Sequence, residues 1–180
     1  TDEHGQKIQN EAKKNNKDPK IFCDELSETF RNLTRTLNLS NDDFIRTTEP
    51  RHHKSVIEIW NKLVSSGDIY LDKYSGWCSI SDEAFYDEDE IEDKNGKKIS
   101  KSSGSLVEWV EEESYFFKLS SWSKKLLDFY KKNPDFILPK SRKNEVIKFV
   151  EKGLKDLSIS RTSYSWGIPV PKNNKHIIYV

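Results

Sequence analysis

The 180-residue sequence contains no methionine and only two cysteines, Cys23 and Cys78. Two thiols cannot build a disulfide framework, and they are too few to complete a structural zinc site by themselves. Thiol content this low suits a reducing compartment, and we expect a cytoplasmic protein. Because the chain lacks even an initiator methionine, we expect it to be part of a longer polypeptide.

Net charge and long apolar runs are missing as well. Thirty basic and thirty acidic residues cancel, so no overall positive field exists to hold nucleic acid. The longest apolar runs, such as 177–180, are far too short to span a bilayer. No charged-then-apolar leader opens the chain, so we expect no export by a signal peptide present here. With 34% apolar and 33% charged residues, a modest core under a heavily solvated surface is expected.

Apolar spacing predicts several helices. Asp18 followed by Pro19 is typical of a helix start. The apolar residues after it recur every three or four positions, which predicts a helix over 19–38 with one apolar face; they are Phe22, Leu26, Phe30, Leu33 and Leu37. Similar patterns predict helical segments at 6–15, 52–65, 121–132 and 141–152.

Strand signals fall mainly in the middle and at the end of the chain. Alternation or apolar character predicts strands at 68–74, 106–110, 115–119, 156–160 and 176–180, and a β preference at 44–48. Asn95-Gly96 indicates a hairpin turn. Residues 68–119 are thus β-rich between helical blocks, which indicates an insertion.

An ordered series of short motifs runs through the whole chain. It begins with Asp2-Glu3-His4-Gly5 and continues with Val107-Glu108-Trp109, Ser114-Tyr115-Phe116-Phe117 and Ser158-Ile159-Ser160-Arg161; it closes with Trp166-Gly167-Ile168-Pro169 and His176-Ile177-Ile178-Tyr179-Val180. Each motif alone is weak, but together and in this order they resemble the methionyl-tRNA synthetases, a class I aminoacyl-tRNA synthetase family.

The resemblance implies an α/β fold, namely part of a split Rossmann-type nucleotide-binding fold with a small α+β connective insertion that resembles a knuckle. It divides the chain into the end of the first Rossmann half with its following helices (1–67), the insertion (68–119), and the return helices with the start of the second half (120–180). The family's ATP-gripping His-Ile-Gly-His segment and Lys-Met-Ser-Lys-Ser loop have no counterpart here. Lys98-Ile99-Ser100-Lys101-Ser102 looks like that loop, but it falls inside the insertion, and we interpret it as a coincidence.

By the same resemblance, the complete protein would be a methionine–tRNA ligase. Its substrates would be methionine, ATP with Mg²⁺, and tRNA(Met), and its partners the remaining segments of the same synthetase, with no membrane. The chain alone is expected to be inactive. An alternative is a non-catalytic connective domain that serves as a docking module for RNA or protein, although the zero net charge weighs against RNA.

The resemblance also assigns the site. Asp2 and Arg161 would be catalytic, with Asp2 beside the ammonium group of methionine, and His4, Gly5, Tyr179 and Val180 would line the substrate pocket. A structural Asp2–Arg161 ion pair is the alternative. If the Rossmann halves close, segments 1–5 and 176–180 should lie side by side in a mainly parallel sheet, and Asp2 and Arg161 should face one cleft.

The insertion departs from the family's zinc knuckle. Alignment places Ser79, Asp82, Ser100 and Ser103 where many members carry cysteine or histidine, and hydroxyls are poor zinc ligands. We therefore expect no structural zinc and a knuckle held by its aromatic residues instead, which are Tyr70, Tyr74, Trp77, Phe85, Trp109 and Tyr115. His52, His53 and His176 show no metal-like grouping and are expected at the surface or as capping residues.

Overall fold

The computed structural model describes residues 1–82 and 84–179, with the backbone alone at Tyr74. Within these residues the helices are α1 Gln6–Lys14, α2 Pro19–Thr36, α3 Pro50–Ser65, α4 Ser123–Lys132 and α5 Lys140–Glu151, with 3₁₀ turns at Glu88–Glu90 and Leu119–Trp122. None of these helices has the length and apolar character that crossing a bilayer requires. The helix predictions are confirmed, with ends that differ by a few residues.

The capping signal at α2 works as the sequence predicts. The Asp18 carboxylate accepts hydrogen bonds from the backbone N–H groups of Lys20 and Ile21, at 2.8 and 3.4 Å, which satisfies donors that the first helical turn leaves unpaired. The apolar face of the helix is less buried than its spacing indicates, since Phe30 is 52% exposed. Leu26, Leu33 and Leu37 are exposed in the same way.

The strands of the described residues form three sheets. They are β1 Ile69–Ser79, β2 Ala84–Tyr86, β3 Ile91–Lys94, β4 Lys97–Ser100, β5 Glu108–Phe117, β6 Leu157–Ser158, β7 Ser160–Arg161, β8 Ile168–Val170 and β9 Asn173–Ile178. The orders are β2-β1-β5-β6, β3-β4 and β7-β9-β8. The β3–β4 hairpin turns at Asn95 and Gly96, both with positive φ, as their sequence predicts.

The expected parallel pairing of segments 1–5 and 176–180 is wrong. Every strand pairing in the described residues is antiparallel, and β9 lies between β7 and β8. Segment 1–4 is irregular, because loop residues satisfy its backbone groups: the N-terminal ammonium donates to the Ile45 carbonyl, and Glu3 N–H donates to Thr47 Oγ1.

Two other strand expectations also need correction. The strands predicted at 106–110 and 115–119 are one strand, β5, because the acidic residues between them continue the pairing with β1 from Cys78–Glu108 to Ile69–Phe117. The segment 44–48 forms no strand. Its backbone and side chains instead anchor segment 1–4.

The core joins the helical and β-rich parts. Trp60 of α3 packs with Ile69 of β1, with Ile159 between β6 and β7, and with Val170 of β8. Partly buried side chains surround this cluster, namely Leu63, Tyr115, Phe117 and Ile178. The core therefore fixes the strand ends that carry Arg161 and Tyr179.

Replacing Trp60 with alanine should strongly destabilise the chain. Trp60 is 5% exposed, and removing a buried indole costs about 3–5 kcal/mol. Its neighbour Ile59 is 59% exposed, so Ile59→Ala should change the free energy of unfolding by less than about 0.5 kcal/mol. Urea denaturation of the two variants measures both values, and equal losses would contradict this assignment of the core.

Candidate functional site

Segment 1–5 is fixed by a buried ion pair at its centre. The Glu3 carboxylate accepts hydrogen bonds from Arg46 at 2.7 and 2.9 Å and from Thr1 and Thr48. Burial alone would raise the pKa of Glu3, but the hydrogen bonds, that from Arg46 foremost, outweigh burial and hold the pKa below its usual value. The sequence analysis did not predict this ion pair. The only sign of it in the sequence is that the Glu3 carboxylate lies between two candidate site residues, Asp2 and His4.

Asp2, His4 and Gly5 line one cavity of about 420 Å³, together with Tyr179. Asp2 itself is exposed. Gly5 has a φ of 108°, in the region that favours glycine, and its N–H donates to the Trp166 carbonyl. The structure thus brings four of the predicted site residues together. Val180 lies outside the described residues.

The imidazole of His4 lies against two other aromatic rings. Its ring centroid is 5.5 Å from that of His53 and 5.7 Å from that of Trp166. Burial, and secondly the nearby His53, lower the pKa of His4 to about 4. With this lowered pKa, His4 is neutral at pH 7. Next to it, the backbone of Gly167 packs closely on Ile177, since a Cβ at Gly167 would lie 2.3 Å from Ile177 Cγ2.

Arg161 lies at the edge of two other cavities. It is 8% exposed, and its Nη1 donates to Ser158 Oγ at 2.8 Å and to the Ser160 carbonyl at 2.7 Å. In the described part of the chain, no carboxylate forms an ion pair with it. Burial lowers the pKa of its guanidinium. A nearly buried cation in this state suits an anionic ligand.

Asp2 and Arg161 line separate, adjoining cavities. The Arg161 cavities have volumes of about 110 and 460 Å³. Tyr179 lines both of these and the Asp2 cavity, and Tyr164 lines the Asp2 cavity and the smaller Arg161 cavity. The structure therefore links Asp2 and Arg161 through shared aromatic walls, and the described ion pairs include none between them.

His176 is buried, and the expectation of a surface position is wrong for it. It is 1% exposed, with Nδ1 3.1 Å from Ser160 Oγ and Nε2 3.2 Å from Glu113 Oε1. The sequence of contacts from Glu113 through His176 to Ser160 resembles a serine nucleophile with its base. However, Ser160 is fully buried, and its Oγ accepts a hydrogen bond from Tyr115 N–H. The group therefore holds the strand that carries Arg161 rather than reacting.

The other two histidines border the site. His52 lines the Asp2 cavity, and His53 packs against His4 with its Nε2 buried and without a hydrogen-bond partner among the described residues. Both are half-buried rather than at the surface. Among the described residues, no group of three or more His, Cys, Asp or Glu side chains is placed to hold a metal ion.

The four knuckle positions converge around Asp82. Its carboxylate accepts hydrogen bonds from the hydroxyls of Ser103, Tyr86 and Ser105 at 2.5, 2.7 and 2.7 Å, and these lower its pKa to about 2. Ser79 and Ser100 lie at the start of the two turns and accept backbone N–H groups through Oγ. We call these six residues the Asp82 cluster.

The aromatic residues expected to hold the insertion are shared between it and the main core. Trp77 and Trp109 pack edge to face, with ring centroids 5.4 Å apart, but Trp109 is exposed. Tyr70 stacks on Phe116, and Tyr115 packs on Trp60 of the main core. Hydrogen bonds at the Asp82 cluster therefore join the two knuckle turns, a contribution that apolar patterning does not reveal.

Zinc should be absent from the purified protein. The Asp82 carboxylate already has three hydroxyl donors, and the cluster offers no thiolate or imidazole. Elemental analysis should find no stoichiometric zinc, and a chelator should leave the urea unfolding midpoint unchanged. Asp82→Ala, in contrast, should lower that midpoint. Bound zinc, or unfolding by chelator, would contradict this interpretation.

His4 should remain neutral well below pH 6. In the folded state its pKa is about 4, against 6.5 for the ordinary value. Its contribution to stability is complete above pH 6.5 and is lost as the pH falls toward 4, because only the unfolded chain takes up a proton there. His4→Gln should reduce this part of the pH dependence of unfolding. An NMR titration that gave His4 a pKa near 6.5 would contradict this prediction.

Comparison with known proteins finds similarity over the whole chain. The family model for tRNA synthetases class I (M) matches residues 1–180. The methionine–tRNA ligases of Rickettsia prowazekii (strain Madrid E) and Rickettsia typhi (strain ATCC VR-144 / Wilmington) are 57% and 58% identical over 180 and 181 residues, which is 100% of this chain and 35% of each relative.

A solved structure gives the same result in three dimensions. Mycobacterium tuberculosis methionyl-tRNA synthetase, in complex with methionyl-adenylate, superimposes with a TM-score of 0.93 at 46% sequence identity. The match covers 99% of this chain and 35% of that chain. The present sequence therefore spans about a third of the length of the proteins that it resembles.

Proposed function

Since the chain belongs to the class I (M) tRNA synthetases, we propose that it is the central part of the catalytic domain of a methionine–tRNA ligase. The complete protein would activate methionine with ATP to methionyl-adenylate and transfer it to tRNA(Met). The alternative of a separate docking module is less well supported, because the match covers segments 1–67 and 120–180 as fully as the insertion.

One observation carries this proposal: Arg161 is nearly buried, has no carboxylate partner in the described residues, and borders cavities that share Tyr179 with the Asp2 cavity. The reaction brings anions to such a cation, namely the methionine carboxylate and the α-phosphate of ATP. Arg161 would stabilise the charge that develops between them.

Asp2 would hold the other end of the amino acid. An exposed carboxylate at a cavity wall can accept charge-assisted hydrogen bonds from the methionine ammonium. Neutral His4 and Gly5 would line the same pocket, and Tyr179 with Val180 would lead into the wall around the methionine side chain. Positioning and electrostatic stabilisation then perform the chemistry, with no covalent enzyme intermediate.

The domain organisation is part of the proposal. Residues 1–67 would end the first half of a split Rossmann-type fold, residues 68–119 would form the connective knuckle, and residues 120–180 would begin the second half. Mg²⁺ would arrive with ATP, since the described residues contain no carboxylate group arranged to hold it. The remaining segments of the synthetase would grip ATP, and the cytoplasmic location stays a prediction.

Methionine-dependent ATP–pyrophosphate exchange tests the proposal. The 180-residue chain alone should be inactive, and exchange should appear when it replaces the matching segment of the Rickettsia prowazekii ligase. In that chimera, Asp2→Ala and Arg161→Ala should each lower kcat/KM about 10²- to 10³-fold.

Matched exposed controls, Asp128→Ala and Arg142→Ala, should leave exchange unchanged because neither residue lines these cavities. Exchange by the isolated chain would refute the fragment interpretation. Full activity of both site variants would refute the assigned roles.

A further inference from the structure

The insertion contacts the candidate catalytic arginine through one aromatic ring. The Arg161 guanidinium carbon lies 4.3 Å from the centroid of the Phe85 ring and 4.4 Å from that of Tyr179. Phe85 belongs to β2 of the insertion, and Tyr179 follows β9 in the part after it. The guanidinium thus contacts rings from two separate parts of the chain.

Contacts from the insertion and from Lys155, which follows it in the chain, hold β2 in place. Phe85 is paired with Cys78 across the β1–β2 ladder. On one side of it, Tyr86 donates to Asp82 within the Asp82 cluster. Beyond that, Asp87 forms an ion pair with Lys155, just before β6. The backbone of β2 around Phe85 is therefore fixed by contacts that do not involve Arg161.

Hydrogen bonds at Nη1 and two ring contacts together restrict the orientation of the guanidinium. Nη1 donates to Ser158 and Ser160, which fixes one edge of the group, and the two rings lie against it. The other donors, on Nε and Nη2, have no hydrogen-bond partner among the described residues. They remain available for an anionic substrate.

We propose that Phe85 is a positioning residue, through which the insertion orients Arg161 for the activation step. The inference rests on the proposed function. A cation–π contact is stronger where water is excluded, and Arg161 is nearly buried. Leucine retains most of the apolar volume of Phe85 but has no π face, so it would leave the guanidinium without one of its two cation–π contacts.

The test compares Phe85→Leu with Phe85→Tyr in the complete synthetase that carries residues 1–180. Phe85→Leu should lower kcat of ATP–pyrophosphate exchange about tenfold, with little change in KM for methionine. Phe85→Tyr retains the ring and should restore kcat. Trp109→Leu serves as the control, because it removes an insertion aromatic that packs on Trp77 and not on Arg161, and it should leave kcat near the unsubstituted value.

A second measurement does not depend on activity. The side-chain Nε–H resonance of Arg161, identified by its loss in Arg161→Lys, should move in Phe85→Leu and stay in place in Phe85→Tyr, because the ring current of the aromatic face is removed only in the first. An unmoved resonance together with unchanged kcat in Phe85→Leu would overturn the proposal, as would equal losses in both Phe85 variants. Absence of exchange in the unsubstituted protein would refute the proposed function instead, and the resonance would still decide the role of Phe85.

Discussion

The antiparallel ladder between β1 and β5 is the frame on which both parts of the molecule depend. Ten residue pairs, from Ile69–Phe117 to Cys78–Glu108, join its strands. At one end it enters the core through Ile69 and continues to β6, which leads directly to Arg161. At the other end it carries β2 and the turn that begins at Ser79. A single ladder therefore sets the position of Phe85 relative to Arg161, although 75 positions of sequence separate them.

Local signals were predictable from the sequence, and contacts between distant segments were not. Asp18-Pro19 and Asn95-Gly96 act through their own backbone preferences, so their structures follow from a few residues. The acidic run inside β5 offered no strand signal, because its pairing depends on β1 about forty residues away. The prediction of sheet direction was wrong for a related reason: the family resemblance predicted a parallel closure, whereas the strands of the described residues pair antiparallel.

Prediction of the candidate site from the sequence has the same limit. Motif order was enough to single out Asp2, His4, Gly5 and Tyr179, and the structure places these around one cavity. It was not enough to find Glu3, whose role depends on Arg46 far along the chain. Nor could it show that His176 is buried, since a lone histidine carries no pattern. Polar networks of this kind are specified by mutual geometry, which spacing in one sequence does not encode.

Substitutions in the Asp82 cluster should affect the fold differently from the loss of a metal site. A zinc knuckle depends on one ion, so loss of that ion or of a ligand can unfold it in one step. Here several separate hydroxyl and backbone donors share the task. Substitution of one serine would weaken the turns without opening them. Such a junction could accumulate sequence changes gradually, and the predicted absence of zinc would make its integrity independent of the metal supply of the cell.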